Sequence, residues 1–110
     1  MTLIKQYVDA MVNRDSVALS KLFSSTAIFV DYCPKDAGLP QFYAYGPEGI
    51  DMFFRNRFVF RKFEVFDPII VSDTQAYYYA VYGGYHMRAI ATIQDFSDEG
   101  EIKRMIVRPA

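Results

Sequence analysis

The sequence predicts an α+β domain with helices early and strands late. Three observations carry that prediction. Apolar residues recur at helical spacing from Leu3 to Phe23 and again after Gly46, the period changes to two from Lys62 onward, and turn signals divide the second half into antiparallel strands. Segregated elements of this kind point to a layer of helices on one sheet, not to parallel strands joined by crossovers. One long, bent sheet folded over three helices would enclose a conical cavity.

Each element has its own justification. Thr2 is a candidate N-cap for a first helix, on which Leu3, Ile4, Tyr7, Val8, Met11 and Val12 share a face. Asn13 and Arg14 end it, and Asp15 caps a second helix that buries Val17, Ala18, Leu22 and Phe23. Ser24 to Thr26 break the pattern, and Ala27 to Tyr32 reads as a strand. Cys33 to Gly46 holds two Pro and two Gly and reads as a loop with a short extended piece at Gln41 to Tyr45. Gly46-Pro47-Glu48 starts a third helix, with Pro in the first turn and a carboxylate near the positive end of the dipole. Lys62 to Val71 is a strand interrupted at Asp67-Pro68, which implies an edge or a bulge. Gln75 to Tyr82 and Tyr85 to Phe96 form a hairpin about Gly83-Gly84, and Glu101 to Arg108 is the last strand.

Size and charge exclude several functions. A chain of 110 residues and 12.7 kDa fits one domain, and 52% hydrophobic with 23% charged residues is an ordinary globular balance. A net charge of −1 argues against nucleic acid, which requires a field of Lys and Arg. The tightest basic group, Arg55, Arg57, Arg61 and Lys62, reads as a solvated helix end rather than a phosphate site. One cysteine, Cys33, and one histidine, His86, provide neither a disulfide nor a thiolate or histidine metal centre. The N-terminus carries Lys5 and Asp9 within its apolar stretch, unlike a signal peptide, and no run has the length of a membrane span. The expectation is a cytoplasmic protein that uses no metal or cofactor and contacts no membrane.

Aromatic residues make up 17% of the chain, as 10 Phe and 9 Tyr. Three readings stay open: strand-forming residues, a homodimer interface, or a small-molecule pocket lined with rings and hydroxyls.

The run Tyr7-Val8-Asp9-Ala10-Met11, Asp15, Leu22-Phe23 and Ala27-Ile28-Phe29-Val30-Asp31 resembles the N-terminal half of the ketosteroid isomerase family. That family belongs to the NTF2-like or SnoaL-like group, whose fold is a cone-shaped, cystatin-like α+β domain of three helices on a strongly bent antiparallel sheet. Gly46-Pro47-Glu48-Gly49-Ile50-Asp51-Met52-Phe53-Phe54 is similar to the third helix of that family. Asp95-Phe96-Ser97-Asp98-Glu99-Gly100-Glu101-Ile102-Lys103 is similar to its acidic turn before the last strand.

The resemblance implies a catalytic pair at Tyr7 and Asp31, with Asp31 as general base beside a carbonyl and the Tyr7 hydroxyl as donor to the developing enolate oxygen. It also implies a pocket for a small hydrophobic molecule that includes Phe29, Phe54, Thr92, Gln94 and Met105, and a homodimer through the outer face of the sheet. The residues alone are compatible with this: Asp31 shares a strand face with Ala27 and Phe29, where desolvation would raise its pKa. An Asp at a strand end also serves as a turn former, and Tyr7 also reads as core. Two departures stand out. Thr92 occupies the place of a second, acidic oxyanion donor, with Asp95 the nearest carboxylate, and Phe54 replaces a Tyr found in some members.

Alternation along the hairpin puts Tyr78, Ala80, Tyr82, Met87, Ala89, Ala91 and Ile93 on one face and Tyr77, Tyr79, Val81, His86, Arg88, Ile90 and Thr92 on the other. The first set is more apolar, whereas the resemblance places Thr92, Gln94 and Met105 toward the cavity, so either face is a candidate lining. Function stays open between an Asp-based isomerase, cyclase or dehydratase, with an Asp31–His86 couple as the acid/base candidate in the last, and a ligand-binding or dimeric interaction module without chemistry.

Overall fold

The computed structural model, which describes residues 1–110, has three helices and a six-stranded open sheet, with the first and third helices in contact with the sheet and the second with the other two helices. Helix α1 (Leu3–Val12) starts at Thr2, whose hydroxyl accepts the Lys5 N–H at 3.2 Å, and buries Ile4, Tyr7, Val8, Ala10 and Met11. Helix α2 (Ser16–Ser20) is a short turn capped by Asp15, whose carboxylate accepts the Ala18 N–H at 3.0 Å. Strand β1 (Phe23–Asp31) begins earlier than its alternation suggests. Its pairing slips between Phe23 and Ile28, so Ser24 to Thr26 lie in the strand without a regular apolar period.

After a 3₁₀ turn (Cys33–Ala37), strand β2 (Phe42–Tyr45) pairs antiparallel with β1. Helix α3 (Gly46–Val59) follows at once, with Gly46 at φ 67°. A Cβ at Gly46 would lie 3.2 Å from the Ser25 carbonyl oxygen, so this junction requires glycine on both conformational and steric grounds.

Strands β3 (Phe63–Ile70), β4 (Gln75–Tyr82), β5 (Tyr85–Phe96) and β6 (Ile102–Pro109) complete a sheet of order β2-β1-β6-β5-β4-β3. The sheet is not wholly antiparallel. Strand β6 returns beside β1 and runs parallel to it, because the intervening elements bring the chain back across the whole width of the sheet. Asp67-Pro68 lies on edge strand β3 and forms a bulge there, with Asp67 at φ 49°. The hairpin turn carries Gly83 and Gly84 at positive φ and pairs Tyr82 with Tyr85, as a two-residue turn between twisted strands requires.

The inner face is the more apolar set. Phe29, Asp31, Phe63, Val65, Ala76, Tyr78, Ala80, Tyr82, Ala89, Ala91, Ile93, Met105 and Val107 are all buried. Ala76, Ala80, Ala89 and Ala91 are the small members of this face, and they leave room for the long Tyr78 and Tyr82 side chains beside them. No helix is long and apolar enough to cross a membrane.

Candidate functional site

The polar centre of the inner face is Asp31, the last residue of β1, with 1% of its surface exposed. The chain leaves the strand here, so the carboxylate can accept from its own turn: the Cys33 N–H donates to Oδ1 at 2.8 Å. The second oxygen accepts from across the sheet, where the Tyr82 hydroxyl donates to Oδ2 at 2.7 Å. No Lys or Arg pairs with Asp31; the ion pairs of the chain join Lys5 to Asp9, Arg14 to Glu64 and Arg55 to Asp51. Burial outweighs the two hydrogen bonds and pushes the Asp31 carboxyl up to about 6. The same burial, reinforced by the negative charge of Asp31, pushes the Tyr82 hydroxyl and the Cys33 thiol up, so both stay protonated near neutral pH.

Tyr7 is fully buried and does not bond Asp31. Its hydroxyl lies 2.8 Å from that of Tyr78, and the two rings are 6.3 Å apart. Two hydroxyls carry two hydrogens and share one bond, so this pair retains one donor. Burial raises the pKa of both.

Beside this centre opens a cavity of about 530 Å³, lined by residues of two groups. Pro34, Leu39, Pro40, Gln41 and Phe42 come from the stretch that reads as a loop in the sequence, and Phe53, Arg57, Lys62, Phe63, Tyr82 and Gly83 from α3 and the strand ends beyond it. Tyr82 joins the two features, since it lines the cavity and its hydroxyl holds Asp31. The volume lies within the range of small-molecule sites.

None of the residues implied by the resemblance is in the wall of this cavity: Asp31, Tyr7, Phe29, Phe54 and Met105 are buried away from it, and Thr92 and Gln94 face outward. Phe29 and Phe54 are core residues in edge-to-face contact at 5.2 Å, and both pack against the cavity-lining Phe42 from behind. Met105 is fully buried opposite Phe29 and Ile93. The cavity positions implied for Thr92 and Gln94 are corrected, because burial of Ala89, Ala91 and Ile93 in the core turns their neighbours outward. On that outer face Thr92 accepts from Gln75 at 3.2 Å, and Gln94 accepts from Arg104 at 3.0 Å. A bulge after Ile93 does reset the alternation, but Asp95 ends exposed opposite Arg104. His86 is exposed beside the hairpin turn on the outer face, so an Asp31–His86 couple does not form.

Arg57 and Lys62, read from the sequence as part of a solvated helix end, are at the cavity wall, where Arg57 is half-buried and Lys62 remains exposed. Tyr78 and Tyr82 are the hydrogen-bond partners of Tyr7 and Asp31 that the resemblance missed. Their signal lies in the alternation: both fall on the more apolar face of the hairpin.

No family profile and no curated protein matches the chain. Solved structures match along almost its whole length. A SnoaL-like protein of unknown function from Burkholderia thailandensis is 14% identical with a TM-score of 0.68, the match covering 97% of this chain and 91% of that one. A hypothetical protein with a ketosteroid isomerase-like fold from Catenulispora acidiphila is 13% identical with a TM-score of 0.66, over 98% and 85%. An NTF2-like protein of unknown function from Cytophaga hutchinsonii is 13% identical with a TM-score of 0.64, over 98% and 87%. The chain has the fold of the NTF2-like superfamily, which includes SnoaL-like and ketosteroid isomerase-like proteins.

Proposed function

We propose that this chain is a cofactor-free pocket enzyme that uses Asp31 as a general base on a small apolar carbonyl compound. The observation that carries the reading is a buried, raised-pKa carboxylate without a cationic partner, held by a tyrosine that lines the cavity. A base with a pKa near 6 is largely ionised at neutral pH yet more basic than an ordinary carboxylate.

In this reading Asp31 takes a proton from the carbon beside the carbonyl, and the electron pair moves to the carbonyl oxygen as an enolate. The proton returns to another carbon in an isomerisation, or the enolate carbon attacks a second carbonyl in a cyclisation, and the oxygen of that carbonyl becomes an alkoxide that takes the proton back from Asp31; neither outcome needs an oxidant or reductant. Tyr7, through its pair with Tyr78, supplies the spare hydrogen-bond donor for the enolate oxygen. Tyr82 positions Asp31 and must yield its hydrogen bond as substrate enters. The cavity is the open end of a cone formed by a bent sheet around the helices.

The same reading includes a homodimer through the outer sheet face, on which Phe66, Ile69 and Tyr79 are exposed.

The test is α-proton exchange of enolisable aryl ketones in deuterated water, followed by NMR. Wild type should accelerate exchange, and Asp31→Asn should slow it roughly 100-fold or more. Equal rates in the two proteins would sink the base. A second reading, ligand binding without chemistry, is favoured by the two hydrogen bonds that already occupy Asp31. It predicts saturable binding with no exchange.

A further inference from the structure

The charges of the cavity wall have one sign. Arg57 and Lys62 line it, and no Asp or Glu does. Neither cation belongs to an ion pair of the chain. The contrast with Arg55, on the same helix, is informative: Arg55 donates to both carboxylate oxygens of Asp51, at 3.1 and 2.8 Å. Arg57 donates only to the neutral Asn56 side chain, at 2.7 Å.

Arg57 is also built into the wall. Its guanidinium lies 4.3 Å from the centre of the Phe53 ring, and Phe53 stacks on Phe42 at 3.9 Å. A guanidinium stacked by its face keeps its in-plane N–H donors for an anion at its edge. The Lys62 main chain is tied to the same end of the cavity, where its backbone N–H donates to the Arg57 carbonyl at 2.9 Å and its carbonyl accepts the Gly83 N–H at 3.0 Å, while its ammonium lies at the exposed rim, 5.7 Å from the centre of the Phe60 ring. The remaining surface is largely apolar, with Pro34, Leu39, Phe42, Phe53 and Phe63.

We infer that the cavity takes an amphipathic organic anion, with an apolar ring-sized body and a carboxylate held at the rim by Arg57 and Lys62. This rests on the pocket reading above and narrows its substrate class to a keto acid or a related apolar acid. The orientation follows from charge. The carboxylate sits on the two cations, and the carbon body lies against Phe42, Phe63 and Tyr82. The reverse pose would bring a second negative charge toward Asp31.

The test compares naphthoate with its neutral isostere naphthamide by calorimetry, with NMR shifts of Tyr82 and Phe42 locating the ligand. Wild type should bind naphthoate about 10-fold tighter than naphthamide, the value of one charge-assisted hydrogen-bonding contact. Arg57→Gln and Lys62→Gln should each weaken naphthoate about 3-fold or more while leaving naphthamide unchanged, and the double variant should lose the preference. Equal affinities in wild type, or a preference that survives in the double variant, would overturn the anion assignment and leave a neutral-ligand pocket. If neither probe shifts Tyr82 or Phe42, the pocket reading itself fails, and this inference with it.

Discussion

Replacing Asp31 with Asn removes a buried charge while keeping the shape of the side chain, so the pair of proteins isolates the energetics of that one carboxylate. In the native state its pKa is raised to about 6 from the ordinary 3.8. The sign follows from linkage. Between those two values the folded protein holds a proton that the unfolded chain has released, so stability falls as pH rises through this window and levels off above it. The full shift corresponds to about 3 kcal/mol, and about 2 kcal/mol of it falls between pH 4 and 7.5. The amide in the Asp31→Asn variant has only one acceptor oxygen for the Tyr82 and Cys33 donors, a loss that is nearly independent of pH. The decisive quantity is therefore the stability of wild type minus that of Asp31→Asn, measured by urea unfolding across this range. It should drop by about 2 kcal/mol toward neutral pH, with most of the change complete by about pH 6.5. A flat difference would mean an ordinary, solvated carboxylate. A rising difference would mean one held by a cation, and either result would remove the argument for Asp31 as a base.

Tyr82→Phe deletes the donor that lowers the Asp31 pKa, so a carboxyl-carbon NMR titration should place Asp31 above its wild-type value. The same variant should lose roughly 1.5–3 kcal/mol at pH 7.5, where the carboxylate is charged, and less at pH 5. Tyr7→Phe and Tyr78→Phe should each leave a buried hydroxyl unpaired and cost about 1–3 kcal/mol, whereas the double variant should cost less than the sum of the two; additive losses in urea unfolding would show that the hydroxyls do not interact. On the outer face, Tyr79→Glu should convert a dimer to a monomer in light scattering without loss of fold, and an unchanged mass would show that this face is not the interface.

The helix starts, the hairpin and the Asp67-Pro68 bulge were legible in the sequence because each is specified locally, but the second helix ends at Ser20 and buries Ser16, Leu19 and Ser20, leaving Val17 and Ala18 exposed and Leu22 and Phe23 beyond it. Thr2 and Asp15 cap, Pro47 opens a helix, Gly83-Gly84 adopts positive φ, and Pro68 cannot donate within a ladder. Asp31 read from the residues alone as either a turn former or a desolvated carboxylate, and the structure has it in both positions, accepting the Cys33 N–H and buried enough to raise its pKa. What sequence could not supply were the pairings over distance. The parallel β1–β6 neighbour joins segments from opposite ends of the chain, and the partners of Asp31 and Tyr7 lie 51 and 71 residues away, at Tyr82 and Tyr78. The facing of Thr92 and Gln94 depended on which side of the hairpin the helices cover. Local alternation defines two faces of a strand equally well, and only packing against α1 and α3 selects one to bury. The basic cluster shows the same division: Asp51 and Arg55 pair along one helix at a spacing of four, a local match, whereas only tertiary structure brought Arg57 and Lys62 to the cavity wall.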